Sequence, residues 1–277
     1  MSKSPLLLAL IELASELGAQ KIKLILAGGY GLYLKQLQMQ SSLERTLINS
    51  DNWTQPRSTI DLDIFLETEL VTSLSDMQAL RSTIDKLGYK VIEKAKFMHF
   101  ARGEKANAVE INLLTGPIEK VDLKDKVKIS KPRVRPHGDI ELHAYLTEEA
   151  IDLSSNLEEF LIGDSKQIKI FLPLSFHFLL MKLHAFNDRM ADQEKQRTHA
   201  LDVYRIIAML TEPNYKDALQ RSKKYVDAQK VKDAIHIVKA NFNNKDSLGV
   251  LRIREHQLYH ESFDIMTCLD ALKELFH

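Results

Sequence analysis

Apolar side chains recur along this chain with two different periods, and the change from one to the other divides it. Pro5-Leu-Leu-Leu-Ala-Leu-Ile11 is apolar, but Glu12 and Glu16 interrupt it within one helical pattern, which predicts an amphipathic first helix packed on its domain. Lys21 to Ala27 reads as a short strand, followed by Gly28-Gly29 and a helix-like run from Tyr30 to Leu37. A polar loop from about Gln38 to Gln55 leads into an Asp-rich strand, then a helix from Ser73 to Leu87 that Gly88 ends. Extended segments follow at Tyr89–Glu93, Phe97–Arg102 and Ala108–Leu114, and Gly103–Asn107 looks like a hairpin turn between the last two. After Leu146 strand signals thin out and helical periodicity takes over. Pro173 is expected as the first residue of a helix running to about Met190. A second helix should run from about Lys195 to Leu210, stopped by Pro213, with two or more filling Tyr215–Asn241 and Arg254–Phe276. The pattern predicts an α+β protein: a mixed β-sheet domain flanked by helices over 1–146, then a mainly helical domain over 147–277.

Composition changes this picture little. The 277 residues are 44% hydrophobic and 27% charged, an ordinary globular balance with ample material for a core. With 38 basic and 38 acidic side chains the net charge is zero, so only local patches can predict a charged partner. A single cysteine, Cys268, excludes an intramolecular disulfide and fits a reducing compartment; it lies in an apolar stretch, as a small buried side chain would. The apolar N-terminal run is too short to span a bilayer and lacks a small-residue cleavage site. No membrane association and a cytoplasmic location are the expectations.

Chemistry concentrates in Arg57-Ser-Thr-Ile-Asp-Leu-Asp-Ile-Phe65. Alternation sends Ile60, Leu62, Ile64 and Leu66 toward a core, and Arg57, Thr59, Asp61, Asp63 and Phe65 the other way. Asp61 and Asp63 then share a face about 6.8 Å apart along the strand. Isolated Asp-x-Asp is common on solvated strands. Upstream, however, a strand, a glycine pair and a helix start form a place where backbone N–H groups can hold phosphate. An acidic strand that can carry magnesium beside such a turn suggests a nucleoside triphosphate site.

The helix after Pro173 holds an oddity. Phe176 to Phe186 is apolar nearly all round, yet Lys182 sits in its middle, on a stripe with Phe178, Phe186 and Arg189. A buried lysine needs a partner or loses its charge. On the next helix His199, Asp202 and Arg205 form one stripe, so antiparallel packing would let Lys182 meet Asp202. Such a pair is either a structural ion pair or a lysine aimed at phosphate with an aspartate orienting it. His177 and His184 lie about 10.5 Å apart along their helix, too far for one metal. His184 and Asp188 have ligand-like spacing, but a hydrogen bond at the surface is the simpler reading.

Taken in order, Gly28-Gly29, Arg57-x-Thr59-x-Asp61-x-Asp63, Lys182-Leu-x-Ala185-x-x-x-Arg189 and His199-x-x-Asp202-Val-Tyr resemble the nucleotidyltransferase fold, and more narrowly its AbiEii-type group. That group includes toxins of bacterial toxin–antitoxin and phage-abortive systems. The resemblance covers roughly residues 20 to 210. It implies a nucleotidyltransferase-like sheet domain and a helical domain that contributes Lys182 and Asp202 to the site. By the same resemblance Gly28 and Gly29 cradle the nucleotide phosphates, with Arg57 and Thr59 in support. Asp61 and Asp63 bind one or two Mg2+ (or Mn2+) ions, Glu110 is the candidate third metal-binding carboxylate, Lys182 reaches the triphosphate and Asp202 completes the site. The implied reaction is in-line attack of a hydroxyl on the α-phosphorus of an NTP with loss of pyrophosphate, and no covalent enzyme intermediate is required.

Three features depart from the family's pattern. Tyr30 follows the glycines, where many members carry Ser or another small residue. The segment between Gly29 and Arg57 is long, which makes Trp53 and its neighbours candidates for a lid or a partner contact. His199 stands where relatives often carry an acid. The implied partners are an NTP, RNA (tRNA) or protein as acceptor, and a cognate antitoxin. From about Ile118 to Ile140 the chain is basic, and residues 120–135 are where an RNA backbone would lie, although most such runs are solvated faces. The alternatives are a small-molecule (antibiotic) nucleotidyltransferase and a non-catalytic nucleotide-binding or interaction module of the same fold.

Overall fold

In the computed structural model, which describes residues 4–57, 59–92, 97–104, 108–138, 140–163 and 167–277, the Ser4 hydroxyl accepts from the Leu7 N–H and Pro5 stands in the first turn of helix α1 (Pro5–Ala19). Leu6, Leu10, Leu13 and Leu17 form its buried stripe. The turn that ends α1 uses residues expected in the next strand: Lys21 is left-handed and the Ile22 N–H closes on the Leu17 carbonyl. Strand β1 is therefore only Ile25–Leu26. Helix α2 (Gly28–Ser41) follows at once.

The chain divides into two units, one of Met1–Gly31 with Ser58–Pro173, the other of Leu32–Arg57 with Leu174–His277. The first is built on a mixed ten-stranded sheet. Its strands are β1, β2 (Asp61–Leu66), β3 (Lys90–Val91), β4 (His99–Arg102), β5 (Val109–Thr115), β6 (Val127–Ser130), β7 (Arg133–Pro136), β8 (Ala144–Leu146), β9 (Leu157–Ile162) and β10 (Ile168–Pro173). The spatial order is β6-β7-β8-β5-β2-β1-β10-β9, with β4 pairing β5 and β3 pairing β4. Parallel β2 and β5 set Asp61 opposite Glu110 and Asp63 opposite Asn112. Helices α3 (Thr68–Thr72), α4 (Leu74–Lys86) and α5 (Val121–Lys124) fill the crossovers, and α1 packs on β2, β5, β10 and α4. Ser73 caps α4 and left-handed Gly88 follows it, as the sequence predicts.

Several expectations for this unit fail. β9 and β10 lie beyond Leu146 and complete the sheet, so the helical part begins at Leu174, not 147. Pro173 is the last residue of β10, opposite Leu157, and helix α6 (Ser175–Asp188) starts two residues later. Along β2, Ile60 precedes the strand and is 71% exposed, while Phe65 is buried although it shares the parity of the aspartates. The far end of β2 is thus covered on both faces. The expected turn at Gly103–Asn107 and strand at Tyr89–Glu93 run into residues 105–107 and 93, which lie outside the described residues.

The second unit is helical. Helix α6 packs against α7 (Gln193–Ala208), α8 (Glu212–Lys224) and α9 (Gln229–Asn241), with α10 (Leu248–Arg254) and α11 (Ile265–Leu275) against α7. Residues 200–210 are buried without a break, which makes α7 the axis of this unit. Pro213 does not end α7; it sits in the first turn of α8, where its missing N–H costs nothing. The segment after α2 is tied to these helices: Trp53 is buried, its indole donates to the Ile48 carbonyl, and the Tyr204 hydroxyl donates to the Asn52 carbonyl. Trp53 is thus packed into the helical unit. Cys268 is buried, and burial raises its thiol pKa. Among the described residues no helix is long and apolar enough to cross a membrane.

Gly249 tests how tightly α10 is packed. A Cβ there would lie 2.4 Å from the Phe242 ring and 2.6 Å from the Asn241 carbonyl oxygen. Alanine gains up to about 1 kcal/mol of helix propensity. The backbone oxygen cannot turn aside, so Gly249→Ala should nonetheless lower stability in urea by roughly 1–3 kcal/mol. A stabilised variant would show that α10 has room.

Candidate active site

The pleat of β2, β4 and β5 brings five polar side chains to one face of the sheet unit. Asp61 and Asp63 alternate with buried Leu62 and Ile64; Glu110 and Asn112 alternate with buried Val109, Ile111 and Leu113. His99, on β4, stands opposite Asn112. Within this set the Asn112 amide donates to both aspartates, 3.2 Å to Asp61 Oδ2 and 2.9 Å to Asp63 Oδ1. One amide between two carboxylates relieves their repulsion and shows that two oxygens aim at one point. Glu110 shares the face, but its Oε2 lies 3.0 Å from His99 Nε2. A ligand role for Glu110 requires that bond to open.

Gly28 explains the start of α2. Its φ is +63°, and a Cβ built on it would fall 1.7 Å from Asp63 Oδ2 and 2.8 Å from Asp63 Cβ. Only glycine allows both the backbone and the close approach. The Ala27 N–H donates to the Asp63 carbonyl at 2.8 Å, which locks the turn to β2. Gly29 lies in the first turn of α2 and needs no unusual backbone. Thr59 donates its hydroxyl to the Asp61 carbonyl and so braces the strand entrance. Sequence reasoning found Asp61, Asp63 and Gly28 but gave no role to Asn112 or His99. The signal was their parity with Glu110 and the aspartates, which becomes decisive only once strands are paired in register.

The helical unit holds a second cluster. Asp202, on α7, is fully buried; its Oδ2 meets Lys182 Nζ of α6 at 2.7 Å and Arg57 Nη2 at 3.4 Å, and its Oδ1 meets Arg205 Nη1 at 2.8 Å. The pairing of Lys182 with Asp202 across two helices follows the stripes read from the sequence; Arg57 and Arg205 join it. Arg205 Nε donates to Gln36 Oε1, and Gln36 donates in turn to the Thr54 carbonyl. Burial by itself would raise the Asp202 carboxyl, but the surrounding Lys182, Arg205 and Arg57 outweigh it and hold Asp202 far below the usual carboxylate range. His199 is driven down to about 3, first by burial and then by Lys182, so it is neutral at neutral pH. Three cations stand against one anion among the described residues, a surplus of two positive charges. Among the described residues Arg57 Nε, Arg205 Nη2 and His199 Nδ1 are buried without a hydrogen-bond partner. A largely buried cationic surplus with unused donors is suited to an anion.

His184 is buried and meets the Lys230 carbonyl at 2.8 Å, not Asp188 at the surface. Lys120 and Lys131 of the basic segment pair with Glu69 and Glu148. Among the described residues no group of three His, Cys, Asp or Glu side chains is arranged to hold a metal.

Two measurements test these clusters. Gly28→Ala should cost more than about 2 kcal/mol in urea unfolding, since left-handed alanine alone costs roughly 1–2 kcal/mol. In an Asp63→Ala background the penalty should fall toward that backbone strain, though not fully, because the residue-63 Cβ remains; equal penalties in both backgrounds would show no contact between the two positions. The second concerns acid. The unfolded chain binds a proton at His199 near pH 6.5 that the folded chain refuses until about pH 3. This group therefore withdraws stability as pH falls through that window, by at most about 1.4 kcal/mol per pH unit. His199→Gln should flatten the stability curve between pH 6.5 and 4.5; unchanged curvature would clear His199. Compared with known proteins, the chain matches no family model and no curated protein.

Proposed function

We propose that this chain is a metal-dependent nucleotidyltransferase of the AbiEii toxin type, moving a nucleoside monophosphate from an NTP to an acceptor hydroxyl on RNA (tRNA) or protein. One observation carries the reading: a left-handed glycine that opens a helix lies directly beneath one of two converging carboxylates. The helix start offers N–H groups to phosphate and the carboxylates offer oxygens to the accompanying cation. The donor set fits magnesium in a particular way. Mg2+ is usually bound through one or two carboxylates with substrate phosphates completing its shell, so Asp61 and Asp63 suffice where an all-protein cage would not form. They would hold the ion, which when bound neutralises charge on the triphosphate.

The rest falls to the protein's own groups. Asp61 and Asp63 fix the direction from which the triphosphate presents its α-phosphorus, and Asn112 keeps both carboxylates in that orientation. Glu110, oriented by His99, is the carboxylate available to take the acceptor's proton. The family resemblance gives Lys182 and Arg57, whose positions Asp202 sets within the helical unit, the task of offsetting negative charge on the departing pyrophosphate. A non-catalytic nucleotide-binding module is the second reading, and the Asn112 amide lodged between the aspartates favours it.

Incubation with radiolabelled NTPs, Mg2+ and total RNA or protein should label a macromolecule. Asp63→Ala should lower the rate by at least about 100-fold, the scale of losing one preorganised electrostatic group. Labelling that survives the substitution would remove Asp63 from the chemistry. Triphosphate binding with no labelling of any acceptor would favour the second reading.

A further inference from the structure

Among the described residues Lys128, Arg133 and Arg135 of the basic segment have no carboxylate partner, and these three gather on one surface of the sheet unit. β6 and β7 set Lys128 opposite Arg135 and Ser130 opposite Arg133; β8 sets Tyr145 opposite Arg133. Alternation puts all five on one face. All but Tyr145 line a cavity of about 690 Å3, together with Phe97, Ile140, Glu141 and His143. Glu69 and Glu148 hold Lys120 and Lys131. Among the described residues no carboxylate pairs with Lys128, Arg133 or Arg135, and the last reaches only the Gly138 carbonyl, at 3.4 Å. Like charges directly across a ladder repel. Lysine on β6 can be explained as protection of an edge strand, but Arg133 and Arg135 are on β7, which is paired on both sides.

Aromatic groups complete the face. Phe97 keeps a left-handed backbone, φ +65°, which a bulky side chain rarely adopts and which clusters at ligand clamps. Its carbonyl accepts from the His143 N–H, and the two rings meet edge to face at 5.6 Å. Tyr145 is 45% exposed, with a free ring surface beside Arg133. Cations two residues apart on a strand repeat at about 6.8 Å. That spacing, with the exposed Tyr145 ring and the half-buried Phe97 ring beside it, matches a polyanion whose backbone carries regular charges and whose bases are free to stack.

We propose that the β6–β7–β8 face binds single-stranded nucleic acid, with Lys128, Arg133 and Arg135 on successive phosphates and Tyr145 and Phe97 under bases. A duplex hides its base faces and an acidic peptide brings none, so neither uses the rings. The assignment does not depend on transfer chemistry at Asp61 and Asp63.

The test is fluorescence anisotropy with the full chain, without NTP or metal, using labelled twelve-nucleotide oligouridine and oligothymidine, a duplex RNA of that length and an oligoglutamate peptide. A single strand should bind with a log K against log salt slope of about −2, from ~0.7 per neutralised phosphate. K128Q/R133Q/R135Q should weaken binding at least tenfold and flatten the slope, whereas K120Q/K131Q should change it less than twofold. Tyr145→Ser should weaken binding severalfold with the slope kept, a result that separates stacking from charge should the triple variant misfold. RNA binding above DNA, or both alike, supports the proposal. Preference for duplex or peptide, no binding, or equal losses in the triple variant and the acid-paired control would overturn it.

Discussion

The approach of the Asp63 carboxylate to within a bond's length of where a Gly28 side chain would begin is the constraint around which the sheet unit's polar face is organised. It fixes residue 28 as glycine and its backbone as left-handed. It also binds the turn after β1 to β2 through the Ala27–Asp63 hydrogen bond. Once β2 is placed, parallel pairing with β5 brings Asn112 and Glu110 to the same face, and β4 adds His99. The hydrophobic half of each strand supplies the energy that holds this arrangement: Leu62, Ile64, Ile111 and Leu113 are all buried, each contributing on the order of 1.5–3 kcal/mol. The polar face therefore gets its rigidity from the apolar one.

Asp202 plays the corresponding part among the helices. A buried carboxylate is costly without partners, and removing one partner of such a pair typically costs about 3–5 kcal/mol. Here the partners outnumber it. That is a poor arrangement for stability alone, since one cation would neutralise one anion, and it leaves Arg205 Nη2 and Arg57 Nε without acceptors among the described residues. Clusters of this kind occur at functional sites and in structural ion-pair networks alike.

Much of this was legible in the residue pattern, and the failures share a cause. The alternation at Asp61, Leu62, Asp63 and Ile64 located the acidic face, and the helical stripes at Lys182 and Asp202 located their contact. Both signals are local. Phe65 and Ile60 broke the alternation because burial at a strand's end depends on what covers it, which no period records. β9 shows no clean alternation and β10 alternates only over Ile168, Lys169 and Ile170, so neither strand stands out from the helical sequence around it. Pro173 marks a boundary without saying which element it closes, so the residue pattern alone assigns it to the helix. Asn112 and His99 were invisible as partners of the aspartates because their roles exist only through register between segments tens of residues apart.

Trp53 is the sole tryptophan in the sequence, and its indole is buried in the helical unit with its N–H on the Ile48 carbonyl. Fluorescence excited at the red edge, where tyrosine does not absorb, is consequently a private reporter of that unit. Its emission follows the detachment of the Leu32–Arg57 segment from the helices and is silent about the sheet. A denaturation curve read this way measures one half of the molecule, and only its divergence from circular dichroism shows whether the two halves melt together.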